Sequence, residues 1–167
     1  KSLDAPQRVI YAGTFSKALF PALRCAWLVV PVKQIAQFRH QASLAPCAVP
    51  VLWQNTLADF LREGHFWRHL KKMRQHYAQR RQWIEQALTQ QGFQVVPQKG
   101  GIQMVIRMIG DDIAHARKAN AAGLAVQALS DWRIRSSGEG GLLLSFTNIV
   151  NEGMARQVAQ QLRKALS

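Results

Sequence analysis

Two hydroxyls, an amine and a guanidinium stand close together near the start of this chain of 167 residues: Thr14, Ser16, Lys17 and Arg24. Lys17 is flanked by the apolar Phe15, Ala18, Leu19 and Phe20. In such a setting desolvation and a neighbouring arginine would disfavour the charged amine. A neutral amine is a nucleophile that can condense with an aldehyde as a Schiff base. Hydroxyls and an arginine fork suit a phosphate dianion, each charge-assisted hydrogen bond contributing about 1.5–3 kcal/mol. Taken singly, Lys17 reads as a solvated loop lysine and Arg24 as a surface ion-pair partner. Their company, at these spacings, raises the chemical reading.

The elements around them must present this stretch. Residues 8–12, ending at Gly13, and 25–30, ending at Pro31, are β-branched or aromatic runs that read as buried strands. Gly13 and Pro21 argue against a helix between them, so GTFSKALFPALR is expected to be an ordered loop at strand ends, where ligands bind. Pro31 permits a helix carrying Val32, Ile35, Ala36 and Phe38, interrupted at Ala45 and Pro46. Leu52, Leu57, Phe60 and Leu61 suit another, closed by Gly64. From residue 65 to 91 the stripe Phe66, Leu70, Met73, Tyr77, Ile84 and Leu88 predicts a long helix stopped by Gly92.

Strands are expected at 93–97 and 102–109, joined by a turn at Lys99, Gly100 and Gly101. Asp111 or Asp112 should cap a helix running to Ala122, with a short strand at 124–129 and an apolar strand at 141–147. An amphipathic helix over 152–166 closes an α+β second half.

The run SLDAPQRVIYAGTFSKALFPALR followed by AWLVVP resembles the cofactor-lysine segment of fold-type I, pyridoxal-phosphate-dependent aminotransferases. More narrowly, it is similar to MocR-type bacterial regulators of the GntR family, in which a winged-helix DNA-binding domain is fused to an aminotransferase-like domain. The resemblance continues through GHFWRHLKKMRQHYAQRRQWIEQAL, GGIQMVIRM and GLLLSFTNI. It implies the carboxy-terminal portion of that α/β to α+β fold. Residues 1–47 would be a remnant of the large domain carrying the cofactor lysine, and 48–167 the long helix and the small α+β domain. It also implies that Lys17 attaches pyridoxal 5'-phosphate and moves protons at a substrate Cα, while Thr14, Arg24 and Ser16 bind the phosphate.

By the same resemblance the chain senses a small amino acid or amine. It acts with DNA through a winged helix upstream of residue 1, as a homodimer. A working class I/II aminotransferase is the alternative. Three departures from the family pattern stand out. Cys25, Ala26 and Trp27 occupy a turn where glycine is usual, Gln103 stands where many relatives have histidine, and Leu143 replaces an arginine that clamps the substrate carboxylate. Arg133 and Arg135, in the loop before that strand, are geometric substitutes for it. The acidic and aromatic residues that hold the pyridine ring lie further upstream than the 16 residues before Lys17.

Composition narrows the remaining classes. With 48% apolar and 19% charged residues the chain is an ordinary globular sequence, long enough to bury roughly 70% of its unfolded surface. Its net charge of +13 is spread, with 7 basic against 3 acidic residues over 1–63, 6 against 1 over 64–91 and 9 against 5 over 92–167. Diffuse charge argues against a nucleic-acid-binding arm; the basic residues Arg68, Lys71, Lys72, Arg74, Arg80 and Arg81 read as the solvated side of the long helix. Cys25 and Cys47, without any CxxC pair, support neither a disulfide framework nor a zinc cluster, which fits the cytoplasm. His65 and His69 have helical metal-pair spacing but lack a third ligand, so no metal is expected. No apolar run approaches the ~20 residues of a membrane span. The start KSLDAPQRV has neither an initiating methionine nor a signal-peptide core, so the chain is expected to be part of a larger protein.

Overall fold

The computed structural model describes residues 4, 6–44, 49–134 and 138–167; Cys47, Arg135 and the expected helix break at Ala45 and Pro46 lie outside the described residues. The chain forms two compact units, Lys1–Lys71 and Lys72–Ser167, with the boundary inside a long helix. Among the described residues no helix is long and apolar enough to cross a membrane.

In the first unit, β1 (Tyr11–Thr14) and β2 (Ala26–Val29) form an antiparallel pair in the register Tyr11↔Val29 to Thr14↔Ala26. A 3-10 turn at Val32–Gln34 leads into α1 (Ile35–Leu44), followed by α2 (Val51–Arg62) and α3 (His65–Gln90). The strands form where β-branched and aromatic residues cluster, but they are not the buried strands expected: Tyr11, Trp27, Leu28 and Val29 are exposed. Strand propensity fixes an extended backbone, whereas burial needs a covering layer. In this unit the buried cluster is instead Phe15, Cys25 and Leu57, with Leu19, Leu23, Val49, Leu61 and Phe66 against it.

The second unit is an antiparallel three-stranded sheet covered by helices. β3 (Gln103–Met108) and β4 (Val126–Ala128) flank β5 (Gly140–Ser145), in the order β3-β5-β4. α4 (Asp112–Ala121) and α5 (Glu152–Leu166) join the carboxy-terminal part of α3 around it. Met104, Ile106, Leu142 and Leu144 from the strands meet Leu88, Ala119, Ala155, Ala159 and Leu162 from the helices. Small residues on α4 and α5 let those helices approach the sheet closely. Gly92, at φ +81°, takes the left-handed turn that ends α3, and the Phe93 N–H then caps the Leu88 carbonyl at 3.0 Å. Residues 93–97 form only one bridge, Val95↔Ile106, rather than the expected strand. Pro97 has no N–H to extend the ladder.

Asp111 is the N-cap of α4, its Oδ1 accepting from the Ile113 and Ala114 N–H groups at 3.0 Å each. Its neighbour Asp112 is buried and accepts from the main-chain N–H of Gly141 at 2.8 Å and of Ser130 at 3.2 Å, tying α4 to β5 and to the loop before it. Burial raises the carboxyl's pKa, but the Gly141 and Ser130 hydrogen bonds and the Arg133 charge outweigh it and hold the pKa below the ordinary 3.8. The stabilisation is therefore complete above the unfolded value and is lost as pH falls through the lower folded value. Asp112→Ala should cost about 1–3 kcal/mol near neutral pH, because two N–H groups, one buried and one half-buried, lose their acceptor. Urea unfolding of both proteins across an acid series checks this: the gap between them should narrow below about pH 4, and a gap independent of pH would refute it.

Candidate functional site

The β1–β2 ladder brings Thr14, Ser16, Lys17 and Arg24 to one end. Its last pair is Thr14↔Ala26, and beyond it the Phe15 N–H donates to the Cys25 carbonyl at 3.0 Å. Ser16 and Lys17 therefore leave the hairpin at the end where Arg24 returns to it. Between them the chain makes one turn, with the Leu19 N–H on the Phe15 carbonyl at 2.8 Å, then a 3-10 turn at Pro21–Leu23. Arg24 has φ +48°, a left-handed corner between that turn and β2.

Buried Phe15 and Cys25 pin both stems of the loop. The Phe66 ring of α3 meets Phe15 edge-on, at 5.7 Å between centroids and 75° between planes. The Thr14 Oγ1 accepts the Ser16 N–H at 3.1 Å and lies 2.9 Å from the Ser16 Oγ and 3.3 Å from the Cys25 carbonyl oxygen, either of which can take its single proton. Lys17 and Arg24 are exposed, and among the described residues neither side chain makes an ion pair or hydrogen bond. The desolvation expected for Lys17 from its apolar flanks is not what these residues provide. Phe15 turns into the core and Phe20 lies outside it, so neither encloses the amine.

A feature not anticipated from the sequence lies within the hairpin. Trp27 is the cross-strand partner of Gly13, and a Cβ at Gly13 would stand 2.3 Å from the indole ring. The glycine thus lets the Trp27 ring lie across the strand that leads to the loop. A glycine inside a strand signal opposite an aromatic is the sequence trace of such an approach.

The other candidates lie in the second unit. Arg133 donates through Nη2 to the Glu139 carbonyl, sets its charge near Asp112, and has a buried Nη1 without a partner among the described residues. Arg135 lies outside the described residues. Leu143 is on β5, opposite Val105 of β3 and Gln127 of β4, and Gln103 is opposite Ser145. His65 and His69 have separate partners. The His65 Nε2 donates to Glu63 at 3.1 Å and its Nδ1 accepts from Arg68 at 2.8 Å, while the His69 Nε2 lies 2.8 Å from the Ala18 carbonyl.

Among the described residues, the donors left free at the end of the hairpin are two cations, Lys17 and Arg24, with the Ser16 hydroxyl beside them. A phosphate monoester offers only acceptors, and an aldehyde needs a primary amine within reach. The residue types present therefore fit pyridoxal 5'-phosphate at both of its ends.

The family model described as aminotransferase class I and II matches residues 2–139. The chain is 34% identical over 171 residues to the probable rhizopine catabolism regulatory protein MocR of Rhizobium meliloti, across 99% of this chain and 34% of that protein. It is 26% identical over 164 residues to the HTH-type pyridoxine biosynthesis transcriptional regulator PdxR of Corynebacterium glutamicum, across 98% of this chain and 36% of that protein. The chain thus spans about a third of the length of these curated relatives. Among solved structures, the α-aminoadipate aminotransferase LysN of Thermus thermophilus, in complex with N-(5'-phosphopyridoxyl)-L-leucine, superposes with a TM-score of 0.79 at 26% identity, over 95% of this chain and 41% of that one. The fold is that of fold-type I aminotransferases, and the regulators among the relatives match the resemblance read from the sequence.

Proposed function

This chain belongs to the aminotransferase class I and II family, and from that membership we propose that it is the effector-sensing, pyridoxal 5'-phosphate-binding part of a MocR-type transcriptional regulator. The single observation that carries this reading is the convergence of Thr14, Ser16, Lys17 and Arg24 at one end of the β1–β2 ladder. Bound there, the coenzyme supplies an aldehyde that takes up primary amines reversibly. The residues of the chain do the rest. Lys17 offers its amine to that aldehyde, Arg24 and Ser16 donate to the phosphate, and Thr14 orients Ser16 by accepting its N–H. In this reading residues 1–47 belong to the large domain of the fold and 48–167 to the long helix and the small domain.

The names of the relatives MocR and PdxR support regulation as the context. The whole protein would be a cytoplasmic homodimer that meets DNA through a winged helix outside this chain. An amino acid or amine at the site shifts its DNA affinity only by binding two states of the protein unequally. On the resemblance alone, Arg133 and Arg135 are the candidates to meet a carboxylate on that effector. A working aminotransferase is the second reading, favoured by the pyridoxyl-leucine complex of LysN. Leu143, a side chain without charge where the resemblance implies an arginine in many aminotransferases, weighs against it.

The test uses the full-length protein. Absorbance titration with pyridoxal 5'-phosphate should show tight binding, and Arg24→Ala should weaken it by roughly 10–100-fold, the loss of one or two charge-assisted hydrogen bonds worth about 1.5–3 kcal/mol. The same variant should leave the binding of pyridoxal, which has no phosphate, unchanged. In a gel-retardation assay the coenzyme-loaded protein should bind its promoter DNA, with an affinity altered by some amines and not by keto acids. Equal affinity of the wild type and Arg24→Ala for the phosphorylated coenzyme would refute the assignment, and steady transfer of the amino group from an added amino acid to a keto acid would favour the enzyme.

A further inference from the structure

His69 contacts the lysine loop from helix α3 across 51 residues of sequence. Its Nε2 lies 2.8 Å from the Ala18 carbonyl, in a half-buried position, so the ring carries its proton on Nε2 and donates. Ala18 directly follows Lys17. One turn earlier on the same helix, Phe66 packs edge-on against Phe15. The helix thus touches the loop on both sides of the lysine, once by ring packing and once by a hydrogen bond.

Each contact constrains a different degree of freedom. Phe15 is held by burial, by its N–H on the Cys25 carbonyl at 3.0 Å and by accepting the Leu19 N–H at 2.8 Å. The Leu19 N–H belongs to the same peptide as the Ala18 carbonyl, so these bonds tie that peptide to the hairpin at its N–H and leave its carbonyl oxygen to a donor from outside the loop. His69 supplies that donor, so the peptide directly after Lys17–Ala18 is held at both its polar ends, by the hairpin and by α3, which narrows the direction of the Lys17 Cα–Cβ bond. A reacting amine displaced by about 1 Å from its productive place can lose a hundredfold in efficiency, so a group that fixes this peptide acts on the chemistry without touching the ligand. The neighbouring histidine does nothing comparable, because His65 is engaged with Glu63 and Arg68.

We infer that His69 is a positioning residue: through the Ala18 carbonyl it holds the Lys17 loop in the shape that receives the coenzyme. This assignment rests on the coenzyme reading given above. It concerns a hydrogen bond, so a side chain that keeps a donor near the Nε2 position should substitute for histidine, and one that keeps only the ring should not.

The experiment compares full-length wild type, His69→Phe and His69→Gln by two readouts. The first is affinity for pyridoxal 5'-phosphate, with the Lys17 adduct trapped by borohydride and located by mass spectrometry. The second, on coenzyme-free protein, is amide hydrogen exchange across residues 16–19. His69→Phe should bind about tenfold more weakly and exchange faster over those four residues, with a thermal midpoint close to that of the wild type. His69→Gln should restore both readouts to within about threefold of wild type, since its amide rebuilds the donated bond to the Ala18 carbonyl. If His69→Phe does not fold, His69→Asn, whose amide is too short to reach the Nε2 place, takes its part. Wild-type affinity and exchange in the donor-free variant, or a Gln variant as weak as the Phe one, would overturn the assignment while leaving the coenzyme reading intact. Absence of a trapped adduct in the wild type itself would remove that reading and this assignment together.

Discussion

Lys17→Ala is expected to abolish covalent retention of the coenzyme. After borohydride reduction of the full-length protein, the mass gain should sit on the peptide containing Lys17 in the wild type and vanish from the variant. The loss should be essentially complete, because Ser16 and Arg24 can hold a phosphate but no other amine is present in the loop from Phe15 to Arg24. The substitution should be almost silent in stability. Lys17 is exposed and, among the described residues, its side chain has no partner, and surface changes of that kind usually stay within about 0.5 kcal/mol. A Lys17→Ala protein that still acquires the mass gain within the loop would overturn the proposed chemistry. Unfolding of the variant would instead show that the lysine has a structural role that its exposure does not suggest.

Phe146→Ala should be among the most damaging substitutions for stability. Phe146 is 1% exposed and follows β5 directly, its ring edge-on to Tyr77 of α3 with centroids 6.5 Å apart and planes at 75°. Its N–H also donates to the Ile102 carbonyl at 3.4 Å. Truncation removes a whole ring from a site enclosed by helix and sheet, a change that typically costs about 3–5 kcal/mol. The lost ring pair adds about 0.5–1.5 kcal/mol within that range. Against a total stability of roughly 5–15 kcal/mol, this should bring the unit near its unfolding threshold. Urea unfolding monitored by circular dichroism gives the value directly. Phe146→Leu, which refills most of the volume, should cost less than half as much, and equal costs for the two would contradict the packing account.

Much of the second unit was legible in the sequence because its signals are local. The amphipathic run over 152–166 is α5 over those same residues, with the Asn151 side chain capping it on the Met154 N–H at 2.8 Å. Gly92 stops α3, and Asp111 rather than Asp112 is the cap of α4. The place of Asp112 was not legible: its partners Ser130 and Gly141 lie 18 and 29 residues away, and nothing local marks a carboxylate that will bridge them. In the first unit the runs around Tyr11 and Trp27 announced strands, but β1 starts only at Tyr11 and runs through Gly13 to Thr14, and composition could not say what covers the pair, whose exposure is the result. The chemistry-bearing loop was legible from Thr14, Ser16, Lys17 and Arg24 as residue types. Its attachment to α3 through Phe66 and His69 was not, because a helical stripe assigns Phe66 to packing without naming the ring it meets.

Arg24 occupies a corner whose backbone, at φ +48°, favours a residue without a side chain. For an L-residue other than glycine, that conformation costs about 1–2 kcal/mol. The loop is thus built with a small conformational debt at the residue proposed to meet the phosphate. Stability and ligand recognition pull in opposite directions at this one position: glycine would relax the unliganded chain and forfeit the guanidinium. A search for thermostabilised variants would tend to select that exchange, and the proteins it returned would be sturdier and less responsive.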